Sequence, residues 1–303
     1  MSGPVKSPPH TTPAASATGA TPAPASPPDR RRWPCNGRVA SVALMGRAEA
    51  ERFVEGTVRC IAHPIADLRA RPGGPRDRQM LLGELVRVYE MRQGWAFIEA
   101  ARDGYTGYLK ESDLEALPAE GAPDHVVAVP ATHLYTEADL KSPDITHLSL
   151  GARVKVEDFE GKWARTSHGH VFARHLRPLL EPVADPVAVA ESLIGTPYLW
   201  GGNSRDGIDC SGLVQAGCLM AGIACPGDSD MQSRELGHPL PEGAPYQRGD
   251  LIFWKGHVAW VTDPTTLIHA NGNDMAVAYE GITEAIARIE DAGEGPVTQR
   301  RRL

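Results

Sequence analysis

Residues 198–214 read Tyr-Leu-Trp-Gly-Gly-Asn-Ser-Arg-Asp-Gly-Ile-Asp-Cys-Ser-Gly-Leu-Val, and they decide the fold of the second half of the chain. The glycine-rich first part indicates a loop. From Cys210 onward, apolar residues recur on one helical face, and Gly222 is typical of the residue just after a helix end. Asp209 is a natural N-cap, because its carboxylate can accept a free backbone N–H of the first turn. The stretch therefore predicts a helix that begins with a cysteine.

A cysteine in the first turn of a helix can be a nucleophile or a small buried apolar residue. The helix dipole favours the thiolate there, so we expect the helix terminus and a neighbouring histidine to lower the pKa of Cys210. Two histidines on predicted strands favour the nucleophile. His257 follows a Lys-Gly turn between two apolar strands, and His269 lies in a third short strand. A helix terminus and two strands can together supply a nucleophile, a base and a group that orients the base.

These motifs together resemble the NlpC/P60 family of papain-like cysteine peptidases. The resemblance covers about residues 185–290 and rests on Trp200-Gly201-Gly202, Asp209-Cys210-Ser211-Gly212, Gly249-Asp250-Leu251-Ile252-Phe253, Gly256-His257-Val258 and Ile268-His269-Ala270. It implies an α+β papain-like catalytic domain over residues 185–303 that hydrolyses amide bonds in bacterial cell-wall peptides. It also implies that Cys210 is the nucleophile, His257 the base and His269 the orienting third member.

The preceding part of the chain has short strands and turns that repeat. Residues 83–88 (Gly-Glu-Leu-Val-Arg-Val) resemble residues 151–156 (Gly-Ala-Arg-Val-Lys-Val), a spacing of about seventy residues. Each copy is long enough for a small barrel and resembles a bacterial SH3-type domain. We predict a first SH3-like domain over 33–119, with an N-terminal lead-in, and a second over 120–180. The predicted fold class is multidomain: two small all-β SH3-like barrels followed by the α+β catalytic domain.

The N-terminal residues differ in composition from the rest. Residues 1–32 consist mainly of Pro, Ala, Ser and Thr, which predicts a disordered tail, and they lack the continuous apolar region of a signal peptide. The five cysteines include no C-x-x-C pair and are odd in number, which argues against a disulfide framework. Such cysteine usage suits a reducing compartment, so we expect a cytoplasmic protein.

Composition excludes several function classes. The chain has 303 residues and a net charge of −7, so nucleic acid and anionic membrane surfaces are not expected partners. No apolar stretch approaches the length of a membrane span. His168-Gly169-His170 has no third ligand in view, and we predict no metal and no cofactor. We expect a monomer.

The two SH3-type domains refine the expected substrate. This arrangement resembles the peptidoglycan-recycling endopeptidases of the family, which cut γ-D-glutamyl–diamino acid bonds in peptides with a free N-terminal L-Ala. The resemblance implies that the first SH3-type domain closes the cleft and helps to bind the substrate amine. The residues implied in substrate binding are Tyr105, Asp77, Tyr198, Trp200, Asp209, Ser211 and Ser229. Asp77 stands where the family usually has the longer Glu.

Other interpretations stay open at this point. Tyr105 could be a core aromatic residue of the first barrel, and Asp209 could be an N-cap alone. The chain could be an exported cell-wall hydrolase whose SH3-type domains are wall anchors, or a catalytically silent scaffold that only binds peptides. A papain-like acyltransferase is a third alternative.

Overall fold

The chain folds into three packed units in the computed structural model, which describes residues 1, 3 and 28–303. Two β units are followed by a unit in which helices pack on a sheet. Most of the tail predicted over 1–32 lies outside the described residues, but its end differs from the prediction. Residues 30–32 form a 3-10 helix that is capped by the Asp29 side chain. We call residues 29–32 the N-terminal arm.

The first β unit is a seven-stranded antiparallel sheet preceded by a short parallel pair. Its strands are β1 (Val39–Ser41), β2 (Arg52–Val54), β3 (Thr57–Ile61), β4 (Ile65–Arg69), β5 (Arg76–Leu81), β6 (Leu85–Arg92), β7 (Trp95–Ala100), β8 (Thr106–Lys110) and β9 (Leu114–Glu115). Strands β1 and β2 pair in parallel, and the sheet order is β5-β4-β8-β7-β6-β3-β9. Alternate residues along β4 are buried, which places Ala66 and Leu68 in the core beside Ile98.

The second β unit consists of a three-stranded and a five-stranded sheet. Its strands are β10 (His125–Val127), β11 (Ala131–Tyr135), β12 (Asp144–Ser149), β13 (Arg153–Val154), β14 (Val156–Glu160), β15 (Trp163–Thr166), β16 (Gly169–Phe172) and β17 (Leu176–Pro178). The sheet orders are β13-β10-β17 and β12-β11-β16-β15-β14. That both β units are SH3-like domains with the predicted boundaries stays a prediction.

The third unit packs helices on both faces of a six-stranded sheet. Its elements are α1 (Pro186–Ser192), β18 (Asn203–Ser204), β19 (Gly207–Ile208), α2 (Cys210–Met220), α3 (Ser229–Glu235), β20 (His238–Pro239), β21 (Asp250–Trp254), β22 (His257–Asp263), β23 (Thr266–Asn271), β24 (Ala276–Gly281), α4 (Ile282–Asp291) and β25 (Gln299–Arg302). The sheet order is β20-β25-β21-β22-β23-β24. Phe253 packs in one core cluster with residues of α2, while Ile252 packs with residues of α4. No helix in the described part of the chain is long and apolar enough to cross a membrane.

Helix α2 starts and stops as its sequence predicts. The Asp209 carboxylate accepts a hydrogen bond from the Gly212 backbone N–H at 2.7 Å, so Asp209 is the N-cap and Cys210 the first helical residue. Gly222, two residues after Met220, has φ +71°, a left-handed conformation that glycine adopts without strain. The predicted N-terminal helix position of Cys210 is therefore confirmed.

A buried guanidinium joins the first β unit to α2. Arg78 on β5 is 2% exposed and donates to Gln215 of α2 at 2.6 Å and to Asp103 at 3.2 Å. The Arg78 side chain also packs against the backbone of Gly227 in the third unit. A Cβ on Gly227 would lie 1.4 Å from Arg78 Nη1, so a side chain at this position would displace the guanidinium. Burial disfavours the charge, but the carboxylates of Asp103 and its neighbours outweigh this and raise the pKa of Arg78. Gln215 also donates to Asp103 at 2.8 Å, so α2 is bound to both members of an ion pair of the first β unit.

We expect Asp103→Ala to destabilise the protein strongly. The change leaves a buried guanidinium without its carboxylate, which costs roughly 3–5 kcal/mol. Arg165→Gln is a matched control, because it removes an exposed ion pair with Glu157, and should cost less than about 1 kcal/mol. Urea unfolding measures both, and a midpoint unchanged by Asp103→Ala would contradict the role of this ion pair.

Candidate active site

The structure brings the three predicted catalytic residues together. Cys210 Sγ lies 3.9 Å from the Gly256 carbonyl oxygen, directly before His257 at the start of β22. The Val258 backbone N–H also contacts the sulfur, so the thiol lies against the backbone on both sides of His257. His257 Nε2 is 2.9 Å from Nδ1 of His269 on β23. Among the described residues, Nδ1 of His257 makes no hydrogen bond.

The row of polar groups continues beyond His269. His269 is fully buried, and its Nε2 lies 3.1 Å from Glu280 Oε2, close enough for an ion pair but outside hydrogen-bond geometry. Arg288 of α4 donates to both Glu280 oxygens, at 2.8 and 2.7 Å. Sequence reasoning missed Glu280. The alternation along β24, which pairs antiparallel with β23, was the signal that could have indicated it.

The expected direction of the Cys210 pKa shift is wrong. Burial and the adjacent Asp209 carboxylate raise the pKa of Cys210 to about 12. Backbone N–H groups of Val258, Ser211 and Cys210 act in the predicted direction and lower it, but burial outweighs them. The candidate nucleophile is therefore a neutral thiol at neutral pH.

The two histidines are neutral as well. Burial is the main cause that lowers the pKa of His257 to about 3, and the neighbouring His269 and Arg288 lower it further. Burial also lowers the pKa of His269 to about 4, against the opposite effect of Glu280. A neutral imidazole can accept a proton, so at neutral pH His257 is in the form that a general base requires.

A cleft of about 340 Å³ opens beside Cys210, within the range of about 300–1,000 Å³ for small-molecule sites. All seven predicted substrate-binding residues line it, namely Tyr105, Asp77, Tyr198, Trp200, Asp209, Ser211 and Ser229. Trp200 is 70% exposed and lies at the rim. The first β unit therefore contributes to the same cleft as the candidate nucleophile.

Tyr105 and Asp209 have structural contacts at this cleft as well. Tyr105 bridges the first β unit and α3, and Asp209 holds the loop that precedes α2. Tyr105 is 3% exposed, and its hydroxyl donates to Asp228 at the start of α3 at 3.1 Å. Tyr105 is thus both a core residue of the first β unit and a cleft residue. Asp209 accepts from Ser211 Oγ at 2.9 Å and from the Gly201 backbone N–H at 2.9 Å, besides capping α2.

The N-terminal arm also lines the cleft, which sequence reasoning missed. Arg30 and Arg31 border it together with Asp228 and Asp230. Arg30 Nη2 lies 2.8 Å from Asp77 Oδ2, and burial raises the pKa of Asp77 although Arg30 opposes this. The composition of residues 1–32 predicts disorder, and only the Asp-Arg-Arg-Arg run at its end departs from that composition.

Two further cysteines and the possible metal ligands were the other candidates for a site in the described part of the chain. Cys218 and Cys225 are buried, as is common for structural cysteines. Within residues 28–303, no group of three or more His, Cys, Asp and Glu side chains could hold a metal ion.

Comparison with protein families gives two matches. A family model described as "NlpC/P60 family" matches residues 195–290, the part of the chain that holds Cys210, His257 and His269. A model described as "Bacterial dipeptidyl-peptidase Sh3 domain" matches residues 68–114, within the first β unit.

Relatives with assigned names are similar over most of the chain. The "Dipeptidyl-peptidase 6" of Lysinibacillus sphaericus is 41% identical over 226 residues, which cover 66% of this chain and 82% of the relative. The "Gamma-D-glutamyl-L-lysine dipeptidyl-peptidase" of Bacillus subtilis is 28% identical over 236 residues, covering 70% of this chain and 78% of the relative.

Among solved structures, the chain is similar to the crystal structure of an NlpC/P60 family protein from Bacillus cereus. The TM-score is 0.68 at 22% identity, and the match covers 81% of this chain and 99% of that protein. At this identity the match shows a shared fold.

The pH dependence of alkylation tests the state of the thiol. Because the pKa of Cys210 is raised to about 12, the thiolate fraction is small at neutral pH and grows as pH rises. We expect iodoacetamide labelling of Cys210, followed by peptide mass, to accelerate about tenfold per pH unit between pH 7 and 10. Glutathione labelled in parallel should level off near its own, lower pKa. A plateau for Cys210 below pH 8 would show a thiolate at rest instead.

Proposed function

This chain belongs to the NlpC/P60 family of cysteine peptidases, and from that premise we propose that it hydrolyses γ-D-glutamyl–diamino acid bonds. The proposed substrates are peptidoglycan-derived peptides with a free N-terminal L-Ala. The names of the relatives from Lysinibacillus sphaericus and Bacillus subtilis support a dipeptidyl-peptidase activity. The product on the amino side is then the dipeptide L-Ala-γ-D-Glu.

The contact between Tyr105 and Asp228 carries this proposal. It joins the first β unit to the start of α3 at 3.1 Å, and both residues line the cleft that contains Cys210. We propose that this contact closes one end of the cleft. A peptide that enters with its amino end against this wall can extend only a short distance before it reaches Cys210. Such a boundary supports cleavage after a short amino-terminal segment, which agrees with the dipeptidyl-peptidase names of the relatives.

The charge of the closed end suits a primary ammonium. Among the described residues, four carboxylates line the cleft, those of Asp77, Asp209, Asp228 and Asp230, against two guanidiniums. An ammonium in a narrow cleft is costly unless carboxylate and hydroxyl partners compensate for lost water. An N-acetylated peptide has no such charge and adds bulk at the wall.

We propose an acylation step in which His257 accepts the thiol proton of Cys210 on Nδ1 as the sulfur attacks the scissile carbonyl carbon. The developing oxyanion is stabilised by backbone N–H groups at the start of α2. The Tyr198 hydroxyl is the proposed second donor, because Tyr198 lines the cleft and lies near Cys210. The imidazolium then gives its proton to the departing amine, and the C–N bond breaks to leave a thioester on Cys210.

Deacylation reverses these roles. Water attacks the thioester carbonyl, His257 accepts the proton of the water, and the thiol leaves with that proton. His269 orients His257 through the 2.9 Å contact. The His269 Nδ1 atom accepts from His257 Nε2–H in this arrangement, which keeps His257 Nδ1 free as the base.

Two of the alternatives predict different behaviour. An exported wall hydrolase with SH3-type anchors needs no closed cleft and no free amine. A silent scaffold needs neither Cys210 beside the residue that precedes His257 nor a contact between His257 and His269, and both are present here. We further propose a cytoplasmic location and a monomer. The five free thiols suit a reducing compartment.

Replacement of the nucleophile tests the catalytic assignment. Cys210→Ala should abolish hydrolysis of L-Ala-γ-D-Glu-diaminopimelate, measured by mass spectrometry of the products, because no thioester can form. Cys218→Ala is the matched control on the same helix and should keep most of the activity. Wild-type turnover in Cys210→Ala would contradict the assignment, and an inactive wild type would support the scaffold.

Blocking the substrate amine tests the closed cleft. We expect kcat/KM to be much lower for the N-acetylated tripeptide than for the free one. Tyr105→Phe should lower kcat/KM on the free peptide about tenfold or more, because it removes a hydrogen bond to a charged group. Tyr108→Phe is the control, since Tyr108 packs against a separate cluster outside the cleft. Equal rates on free and blocked peptide would favour the wall-hydrolase alternative.

A further inference from the structure

The N-terminal arm is fixed between the two units that form the cleft. The Thr106 hydroxyl at the start of β8 donates to the Arg30 carbonyl oxygen. Asp29 caps the short helix by accepting from the Arg31 backbone N–H at 3.0 Å. On the other side, Arg32 bonds Glu235 at the end of α3 at 2.7 Å. The arm is thus held in place by hydrogen bonds, and its residues Arg30 and Arg31 form part of the cleft lining.

Arg31 has no hydrogen-bonding capacity left for a ligand. Its Nη1 donates to Asp228 at 2.7 Å and to Asp230 at 2.8 Å, and its Nη2 donates to Asp29 and Asp230 at 2.6 and 2.8 Å. Its Nε donates to Asp29 at 3.0 Å. A guanidinium has five N–H donors, and all five are in use. Arg31 therefore attaches the arm to the start of α3.

Arg30 differs from Arg31 in its free donors. Only Nη2 is bonded, to Asp77, and among the described residues Nε and Nη1 have no hydrogen-bond partner. The side chain is 53% exposed and borders the cleft that contains Cys210. A planar fork with open N–H groups is suited to a carboxylate.

The proposed substrate carries a carboxylate that needs such a partner. In a γ-glutamyl peptide the side-chain carboxyl forms the amide, so the α-carboxylate stays free, and its carbon is four bonds from the scissile carbonyl carbon. The described cleft-lining residues include four carboxylates, and their only cations are Arg30 and Arg31. An anion placed among carboxylates is repelled unless a cation pairs with it.

We propose that Arg30 is a specificity-determining residue that binds the free α-carboxylate of the γ-D-glutamyl residue. This rests on the proposed function and adds to it a preference for the free acid over the α-amide. Asp77 holds the guanidinium through Nη2 and leaves the other edge to the substrate.

The test compares L-Ala-γ-D-Glu-L-Lys with the same peptide in which the α-carboxylate is amidated. Wild type, Arg30→Gln, Arg30→Lys and the control Arg32→Gln are assayed as full-length chains for kcat/KM on both. Arg32 pairs with Glu235 and does not line the cleft. We expect wild type and Arg32→Gln to prefer the acid about tenfold or more, the strength of one charge-assisted hydrogen bond. Arg30→Gln should bring this ratio near one by losing rate on the acid, and Arg30→Lys should keep part of it.

The selectivity ratio separates recognition from a structural role. An unchanged ratio in Arg30→Gln, with or without an equal loss of kcat/KM on both peptides, would overturn this proposal but not the proposed peptidase function. A rise in kcat/KM on both peptides would also overturn it and would show that the arm obstructs the cleft. If wild type cleaves neither peptide, the proposed function fails and this inference fails with it.

Discussion

The buried charge of Arg78 is the constraint on which the shape of the site depends. Its guanidinium contacts Asp103 of its own unit and Gln215 and Asn203 of the third unit, and it stacks 5.2 Å from the Tyr105 ring. An isolated charge at this depth is far more costly than a paired one, so these partners have to assemble together. The first β unit is therefore a fixed part of the cleft, because separation from α2 would leave the guanidinium without half of its partners.

The Arg78–Asp103 ion pair also sets the position of Tyr105 and Asp228 at the cleft. Tyr105 follows Asp103 by two residues, and its backbone N–H donates to the Asp103 carboxylate at 3.1 Å. The Tyr105 ring lies against Arg78 and its hydroxyl reaches Asp228. The loop before α2 approaches from the other side, where a Cβ on Gly201 would lie 2.5 Å from the Asp77 carbonyl oxygen. Only glycine permits this approach, and it has φ +72° as well.

The sequence predicted those parts of the site that depend on neighbouring residues alone. The N-cap at Asp209 and the helix from Cys210 depend on a few neighbouring residues, so they could be read directly. Strands β5 and β25 could not, because they are rich in arginine. Their charges are satisfied by other parts of the fold, as when Arg302 of β25 bonds Asp250 at 2.7 Å. The direction of the Cys210 pKa shift was wrong for a related reason: burial is a tertiary property, and it outweighs the helix terminus.

The raised pKa of Cys210 connects recognition of the amine to activation of the thiol. Burial and the Asp209 carboxylate both disfavour the thiolate, so the free enzyme holds a neutral thiol beside a neutral His257. In the proposed complex an ammonium lies in the same acidic cleft and offsets the field of Asp209 at the sulfur, which lowers the pKa of Cys210. By linkage, the thiolate in turn favours the bound ammonium by the same free energy. Under the proposed function, a peptide without that charge forgoes this activation, and amine recognition then contributes to the chemical step as well as to binding.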